Sequence, residues 1–246
     1  MRNTFQRIHI PISAYVVSIH ACAHVLVAFP SACGCVSLRP VKIIALLSQK
    51  GGSGKTTISL NLAIAATLQG QSAVIIDLDP QQSAARWARL RSSDVPVIIP
   101  GHGPNLADLV ERARDGGADL VIIDTAPKSE SAALVAARLA DLILIPCQPS
   151  SLDLDAVADT VNIASLAGAP AGFVLNGCRA SSSLADQAAE ALAEYRLPLA
   201  PVRLGNRVAF IKSLAEGKGV LEHEPSGPAA REIKQLSTWV MKQVRR

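Results

Sequence analysis

The chain has 246 residues, of which 49% are apolar and only 3% aromatic, and its formal net charge is +4. This length allows one well-buried α/β domain or two small ones, and an aliphatic composition with few aromatic residues is typical of a parallel sheet covered by helices. The five cysteines include no Cys-x-x-Cys spacing, which argues against a disulfide framework or a zinc site and fits a reducing cytoplasm.

From residue 41 onward, apolar runs alternate with amphipathic segments. Short continuous apolar runs predict buried strands, and apolar spacings of three and four residues predict helices. The predicted strands are 41–47, 72–77, 95–100, 118–124, 141–146 and 171–176. The predicted helices are 56–69, 82–91, 104–114, three that begin near Ser129, Leu152 and Ser182, and a last one over 229–244. This alternation predicts an α/β fold, with a doubly wound, mostly parallel sheet and helices on both faces.

The stretch LLSQKGGSGKTT, residues 46–57, lies between the first predicted strand and the first predicted helix. It contains three glycines that permit unusual backbone angles and a close approach of a ligand: Gly51, Gly52 and Gly54. Backbone N–H groups and the start of the helix can then surround a phosphate. We expect Lys55 to neutralise the β- and γ-phosphates and the hydroxyl of Thr56 to bind Mg²⁺. The usual first glycine of such a loop is replaced by Gln49, and a second lysine, Lys50, follows it.

Carboxylates follow two of the predicted strands. Asp124 ends strand 118–124, and at the carboxyl end of a neighbouring parallel strand it would lie beside the phosphates and hold the Mg²⁺ shell. Asp77 and Asp79 end the second strand, where one could support the metal and the other orient an attacking water. A turn formed by Asp79 and Pro80 explains the same spacing equally well.

Three segments in this order resemble one family: 50–57 (KGGSGKTT), 77–81 (DLDPQ) and 124–127 (DTAP). They are similar to the deviant Walker ATPases of the ParA/MinD group, and most of all to the small ParA (ParF-like) partition proteins. The resemblance covers 41–246, which we interpret as a ParA-type ATPase domain. It implies a P-loop NTPase fold of the deviant Walker (SIMIBI) type and a Mg²⁺-dependent ATPase whose cofactors are ATP and Mg²⁺.

The resemblance also implies roles for single residues. Lys50 would be the signature lysine, which reaches across an ATP-dependent homodimer to the phosphates held by the partner; a second cation there would offset phosphate charge. Lys50, Lys55 and Asp79 would be catalytic, with Asp79 positioning the water. The metal would be held by Thr56, Asp77 and Asp124. The nucleotide would be bound by Gly51, Gly52, Ser53, Gly54, Lys55, Thr56, Thr57 and, at the adenine, Asn176, although an asparagine at a strand end can also simply form a turn.

The segment 205–222 resembles the part of the family that binds DNA without sequence preference. Its basic residues and a neighbour are candidate phosphate contacts: Arg207 and Lys212, then Arg203 and Lys218. Such contacts give sequence-independent, salt-sensitive binding. The alternative is a set of solvated helix charges. The chain lacks the long N-terminal helix-turn-helix domain of larger ParA proteins, so we do not expect it to act as an operator-binding repressor.

Residues 1–40 differ from the rest of the chain. They contain Arg2, Arg7 and Arg39, no acidic residue, and an apolar stretch like that of a signal peptide. Histidines and prolines make this stretch a poor membrane helix, and export would separate the nucleotide loop from ATP. We interpret 1–40 as an extension that is either disordered or the product of a mis-assigned start, with initiation at Val41 through a GTG codon.

The sequence therefore predicts a DNA partition ATPase that is cytoplasmic and associated with the nucleoid. Its partners would be a second copy on ATP binding, non-specific DNA, and a ParB-like centromere-binding adaptor that stimulates slow hydrolysis; cargo other than DNA remains open. No stable membrane association is expected.

Three other classes of protein are alternatives. A MinD-like positioning ATPase would need an amphipathic C-terminal membrane helix. One apolar stripe would suit it, although such a stripe is more often core packing: Ile233, Leu236, Val240 and Val244. An iron–sulfur relative is disfavoured because Cys147 and Cys178 lack the paired spacing. A cobyrinate-type amide synthase would need room for a glutaminase domain.

Overall fold

The computed structural model describes residues 40–149, 151–180 and 183–244, so the interpretation of 1–40 lies outside the described residues for all but residue 40. The strands are β1 (Lys42–Leu46), β2 (Ala73–Asp77), β3 (Val97–Pro100), β4 (Leu120–Asp124), β5 (Leu142–Cys147) and β6 (Ala171–Leu175). The helices are α1 (Lys55–Thr67), α2 (Ser83–Leu90), α3 (Leu106–Asp115), α4 (Glu130–Leu139), α5 (Ser151–Ala167), α6 (Leu184–Ala193), α7 (Val208–Ala215), α8 (Val220–His223) and α9 (Pro228–Gln243).

The strands form one parallel sheet in the order β3-β2-β4-β1-β5-β6. From the central β1 the chain winds to one edge through β2 and β3, returns at β4, and winds to the other edge through β5 and β6. The predicted doubly wound α/β fold is therefore confirmed. Ligands bind such sheets at the carboxyl ends of the central strands, where the winding direction changes.

The two faces of the sheet carry separate apolar cores. Along β1, Ile43 and Ala45 pack into one core, and Ile44 and Leu46 into the other. Helices α3 to α6 cover the first face, and α1, α2 and α7 to α9 cover the second. Because both faces are covered, every strand except the partly exposed β3 is mostly a buried apolar run, and such runs were predictable from the sequence.

Strand register brings the site residues to one level. Leu46, the last residue of β1, pairs with Asp124 at the end of β4, and Asp77 at the end of β2 pairs with the same Asp124. The loop that follows β1 and the carboxylates that end β2 and β4 therefore lie at the same edge of the sheet.

The C-terminal helix packs into the core through its apolar stripe. Ile233, Leu236 and Val240 are at most 1% exposed, and Val244 is also buried. The stripe therefore packs in the core, which was one of the two alternatives. Because its side chains are buried, they are not exposed for the membrane contact that a MinD-like helix would need. None of the helices in the described part of the chain is long and apolar enough to cross a membrane.

Helices α7 and α8 were not predicted. They are short, and they are separated by a turn in which Gly217 has φ +67°. A Cβ at Gly217 would lie 2.5 Å from the backbone of Leu90, so this turn sits directly against the end of α2. Tertiary contact rather than a long amphipathic period stabilises these helices, and such helices leave a weak signal in a sequence.

A buried ion pair holds the end of α2 against α8. The Arg91 guanidinium donates to both carboxylate oxygens of Glu222, at 2.8 and 2.7 Å, and to the carbonyl of Val95 at 2.6 Å. It also lies 5.0 Å from the ring centroid of Trp87. Trp87 itself is buried, and its indole N–H donates to the carbonyl of Lys218.

Replacing Arg91 with alanine should lower the free energy of unfolding by about 2–3 kcal/mol, because Glu222 would be left without its partner. The value is below that for a fully buried pair, since the Glu222 side chain is 23% exposed. Urea unfolding followed by circular dichroism measures the change. Arg89→Ala, at an exposed position on the same helix, is the control, and equal losses in the two variants would contradict a specific role for the ion pair.

Candidate nucleotide-binding site

The loop between β1 and α1 requires glycine at two of its three predicted positions. Gly52 and Gly54 have φ of +78° and +100°, in the left-handed region that favours glycine. A Cβ at Gly54 would also lie 2.0 Å from the amide nitrogen of Asn176. At Gly51 a Cβ would meet nothing within 4 Å. The loop conformation therefore depends on Gly52 and Gly54 even without a ligand.

Lys55 lies within the loop, as predicted. Its Nζ donates to the carbonyls of Ser48 and Lys50, at 3.0 and 3.2 Å, and the residue is only 6% exposed. Burial lowers the pKa of Lys55, while the nearby carboxylates of Asp124 and Asp79 act in the opposite direction. An ammonium held in this way is already placed where phosphate oxygens would meet the loop.

The carboxylate of Asp124, at the end of β4, is fully buried. It is 0% exposed, and neither oxygen is in hydrogen-bond geometry with another described residue. Burial raises its pKa to about 7; the nearby Thr56 hydroxyl and Lys55 lower the pKa, while Asp77 and Asp79 raise it further. Such a group is costly unless something cationic joins it.

A divalent cation fits this position. The nearby Thr56 hydroxyl and the two free oxygens of Asp124 are hard oxygen donors of the kind that Mg²⁺ prefers. The buried hydroxyl of Ser53 also lacks a partner among the described residues. The predicted magnesium ligands Thr56 and Asp124 are therefore consistent with the geometry.

Asp77 is held differently. Its Oδ1 accepts from the backbone N–H of Asp79 at 3.1 Å, and its Oδ2 from those of Ala84 and Ala85 at 3.1 and 3.4 Å. Both oxygens therefore accept hydrogen bonds from backbone N–H groups, in the turn after β2 and at the start of α2. Burial raises the pKa of Asp77, and these N–H groups lower it. A role of Asp77 in holding the metal stays a prediction.

Asp79 is more accessible than Asp77. Its Oδ1 accepts from the N–H of Gln81 at 2.9 Å, and the residue is only partly buried. The turn continues through Gln82, whose φ is +49°. Of the two aspartates, Asp79 is the one whose carboxylate remains open to a water molecule.

Two side-chain amides hold the loop from the neighbouring strand ends. Asn176, after β6, donates from Nδ2 to the carbonyl of Ser53 at 2.8 Å. Gln148, after β5, donates from Nε2 to the carbonyl of Gly52 at 2.8 Å. Sequence reasoning identified Asn176 but missed Gln148, although both follow a predicted strand in the same way.

A cavity of about 540 Å³ is lined by residues that follow β6 and by residues of the C-terminal part of the chain. Its lining includes Cys178, Arg179, Arg203, Asn206, Arg207 and Glu232. Cys178 and Cys147 are both buried, and burial raises the pKa of the Cys178 thiol. Two of the predicted DNA-binding residues, Arg203 and Arg207, thus line a concave site.

Three of the four predicted DNA-binding residues are paired with carboxylates. Their ion pairs are Arg203 with Asp186 at 2.7 Å, Arg207 with Glu232 at 2.6 Å, and Lys218 with Glu216 at 3.1 Å. The hydrogen bond to Glu232 raises the pKa of Arg207. Lys212 is exposed on α7, beside the exposed side chains of Val208 and Ile211.

Lys50 and Thr57 border the loop. Lys50 is partly exposed and lines a cavity of about 510 Å³ together with Lys128, Glu130 and Asp159. The carbonyl of Thr57 accepts from the Asn61 side chain at 2.8 Å, so this part of α1 is fixed from within. The structure brings all the predicted loop and carboxylate residues to one edge of the sheet, and Lys50 lies at the rim of that cluster.

Residues 44–220 match the family described as "CobQ/CobB/MinD/ParA nucleotide binding domain". The chain belongs to this family. The resemblance to ParA and MinD is therefore confirmed, and with it the nucleotide-binding fold.

Named relatives cover most of the chain. It is 34% identical over 197 residues to the maintenance of carboxysome distribution protein A of Gloeobacter kilaueensis, covering 78% of this chain and 89% of the relative. It is 28% identical to the chromosome-partitioning ATPase Soj of Thermus thermophilus, covering 83% and 97%. Among solved structures, MinD of Pyrococcus horikoshii complexed with Mg-ADP matches with a TM-score of 0.66 at 19% identity, covering 82% and 96%. That last likeness concerns the fold alone.

Proposed function

We propose that this family member is a Mg²⁺-dependent ATPase that forms a dimer on ATP binding and uses the ATP state to bind DNA without sequence preference. The observation that carries the ATPase part is the meeting of Lys55, the fully buried carboxylate of Asp124 and the more accessible Asp79 at one edge of the sheet. These are a phosphate-binding cation, a metal-binding carboxylate and a water-orienting carboxylate.

Each residue of the site would have a distinct role. The loop N–H groups and Lys55 hold the phosphates, and Thr56 and Asp124 hold Mg²⁺. The cation supplies charge neutralisation at the transferred phosphate. Asp79 orients the attacking water, and Lys50 contributes positive charge to the partner subunit's nucleotide. Asn176 donates to Ser53, which fixes its amide so that Oδ1 is left to accept from the amino group of adenine.

DNA binding would begin at Lys212. DNA phosphates must compete with Asp186, Glu232 and Glu216 for the other three candidate cations, whereas Lys212 is exposed and makes no ion pair with a described residue. The likeness to Soj, named as a chromosome-partitioning ATPase, supports a DNA-linked role. The likeness to a carboxysome distribution protein supports the related case, in which the cargo is a protein body. A ParB-like or cargo-specific adaptor would stimulate hydrolysis in either case.

The test is binding of the full chain to random-sequence duplex DNA with ATP, ADP or no nucleotide, across a salt series. We expect binding only with ATP and a steep loss of affinity as salt rises. Lys212→Ala should weaken binding equally for all sequences and reduce the salt slope by about 1. Arg112→Ala, exposed on α3 at the other face of the sheet, is the control.

Two results would overturn the DNA-binding part. The first is equal DNA binding in all nucleotide states. The second is no DNA binding at all, together with ATP-dependent capture by anionic liposomes, which would favour a MinD-like membrane-positioning ATPase.

A further inference from the structure

Two successive carbonyls of the phosphate loop are held by amides from outside the loop. Gln148 holds the carbonyl of Gly52 and Asn176 holds that of Ser53, both at 2.8 Å. In a planar trans peptide, the carbonyl of one residue and the N–H of the next point to opposite sides. The N–H groups of Ser53 and Gly54 therefore both point away from the two amides.

Adjacent N–H groups that point to one side form a concave anion-binding nest. The two amide hydrogen bonds would stabilise such a nest without a ligand. Gly52 adopts φ +78°, which only a glycine does readily, and it lies in an exposed part of the loop. Ser53, by contrast, is only 2% exposed. Gln148 therefore binds the carbonyl of the exposed residue, Gly52, and not that of the buried Ser53.

The surroundings leave Gln148 room to make this bond. A Cβ added at Gly177, whose φ is +68°, would come no closer than 3.6 Å to the Gln148 side chain, so the turn after β6 passes beside Gln148 without crowding it. Gln148 follows directly after β5, whose residues are buried, so its backbone is fixed by the sheet. The donor is therefore carried by a rigid element and not by the loop that it orders.

We propose that Gln148 is a positioning residue, which holds the Gly52 carbonyl outward so that the loop keeps its phosphate-binding shape before nucleotide arrives. The proposal rests on the proposed function, because it assigns Gln148 to the same phosphate site. Gln148 acts through the loop backbone and need not touch the nucleotide. Loss of the Gln148 side-chain amide should therefore weaken binding of ATP and of a polyphosphate without a nucleoside to the same degree.

The test compares wild-type protein with Gln148→Met, which keeps the length of the side chain and removes the donor. Affinities of the full chain for ATP and for inorganic tripolyphosphate are measured with Mg²⁺ by calorimetry. We expect both affinities to fall by the same factor, about three- to tenfold, as for the loss of one hydrogen bond. KM for ATP should rise similarly, kcat should stay within about twofold, and thermal stability without nucleotide should match that of the control Gln235→Met, at an exposed position on α9.

Each other outcome contradicts the proposal. A loss for ATP but not for tripolyphosphate would mean that Gln148 contacts the base or ribose. Unchanged affinities in Gln148→Met would remove the role of Gln148 while leaving the ATPase proposal intact. Wild-type protein that binds ATP but not tripolyphosphate would refute a preformed phosphate nest. Wild-type protein that binds neither would refute the proposed function itself.

Discussion

Replacing Lys50 with alanine is expected to lower kcat for ATP hydrolysis at least about a hundredfold, while the affinity for ATP changes much less. Within one subunit the proposed phosphate-binding cation is Lys55, whose Nζ donates to the loop carbonyls of Ser48 and Lys50. The Lys50 side chain lies at the rim of the loop and is partly exposed. In the proposed dimer it would act on a nucleotide held by a second copy, where it would offset charge that dimer formation removes from water.

The measurements are kcat, the dissociation constant for ATP, and the ATP-dependent change in sedimentation coefficient of the full chain. Lys128→Ala is the matched control, because Lys128 lines the same cavity as Lys50. We expect Lys50→Ala to abolish both hydrolysis and the ATP-dependent dimer, and Lys128→Ala to preserve both. A Lys50→Ala variant that still dimerises with ATP and hydrolyses it at the wild-type rate would contradict the assignment.

The sheet and the loop were predictable because their signals are local. The apolar runs of β1, β2 and β4 reflect burial on both faces, and glycines mark the loop wherever the backbone leaves ordinary angles. Strand order then brings Asp124 beside the loop, because the carboxyl ends of parallel strands share one edge. For this part of the site, residue type and position along the chain were enough.

The remaining features depend on partners that are distant in sequence. Gln148 bonds to a residue 96 positions away, and a polar residue after a strand does not by itself reveal its target. Glu232 lies on α9, so the pairing that neutralises Arg207 could not be read from the basic segment alone. Spacing likewise could not decide which of Asp77 and Asp79 would hold the metal and which would orient water. Only the structure shows that the Asp77 carboxylate accepts hydrogen bonds from backbone N–H groups at the start of α2.

Asp124→Asn should stabilise the protein at high pH when metal and nucleotide are absent. The pKa of Asp124 is raised from 3.8 to about 7, mainly by burial, so the folded state holds a proton that the unfolded state releases. Stability from this group is present at low pH and is lost as pH rises from about 4 to 7. The full effect is at most about 4 kcal/mol. The asparagine removes this loss, although its buried amide lacks partners, so we expect a net gain of about 2 kcal/mol at pH 8.

The gain in stability would come with a loss of function, and the two together identify the role of Asp124. Urea unfolding with a chelator at pH 5 to 8 should show a flatter profile for Asp124→Asn than for wild-type protein. Part of the slope should remain, because burial also raises the pKa of Asp77. Asp108→Asn, exposed on α3, should keep the wild-type profile.

Adding Mg²⁺ and ADP should stabilise wild-type protein most at pH 8, since a cation favours the charged carboxylate, and should barely stabilise Asp124→Asn. If the two profiles coincide with and without Mg²⁺, Asp124 is neither the buried acid nor the metal-binding group of this site.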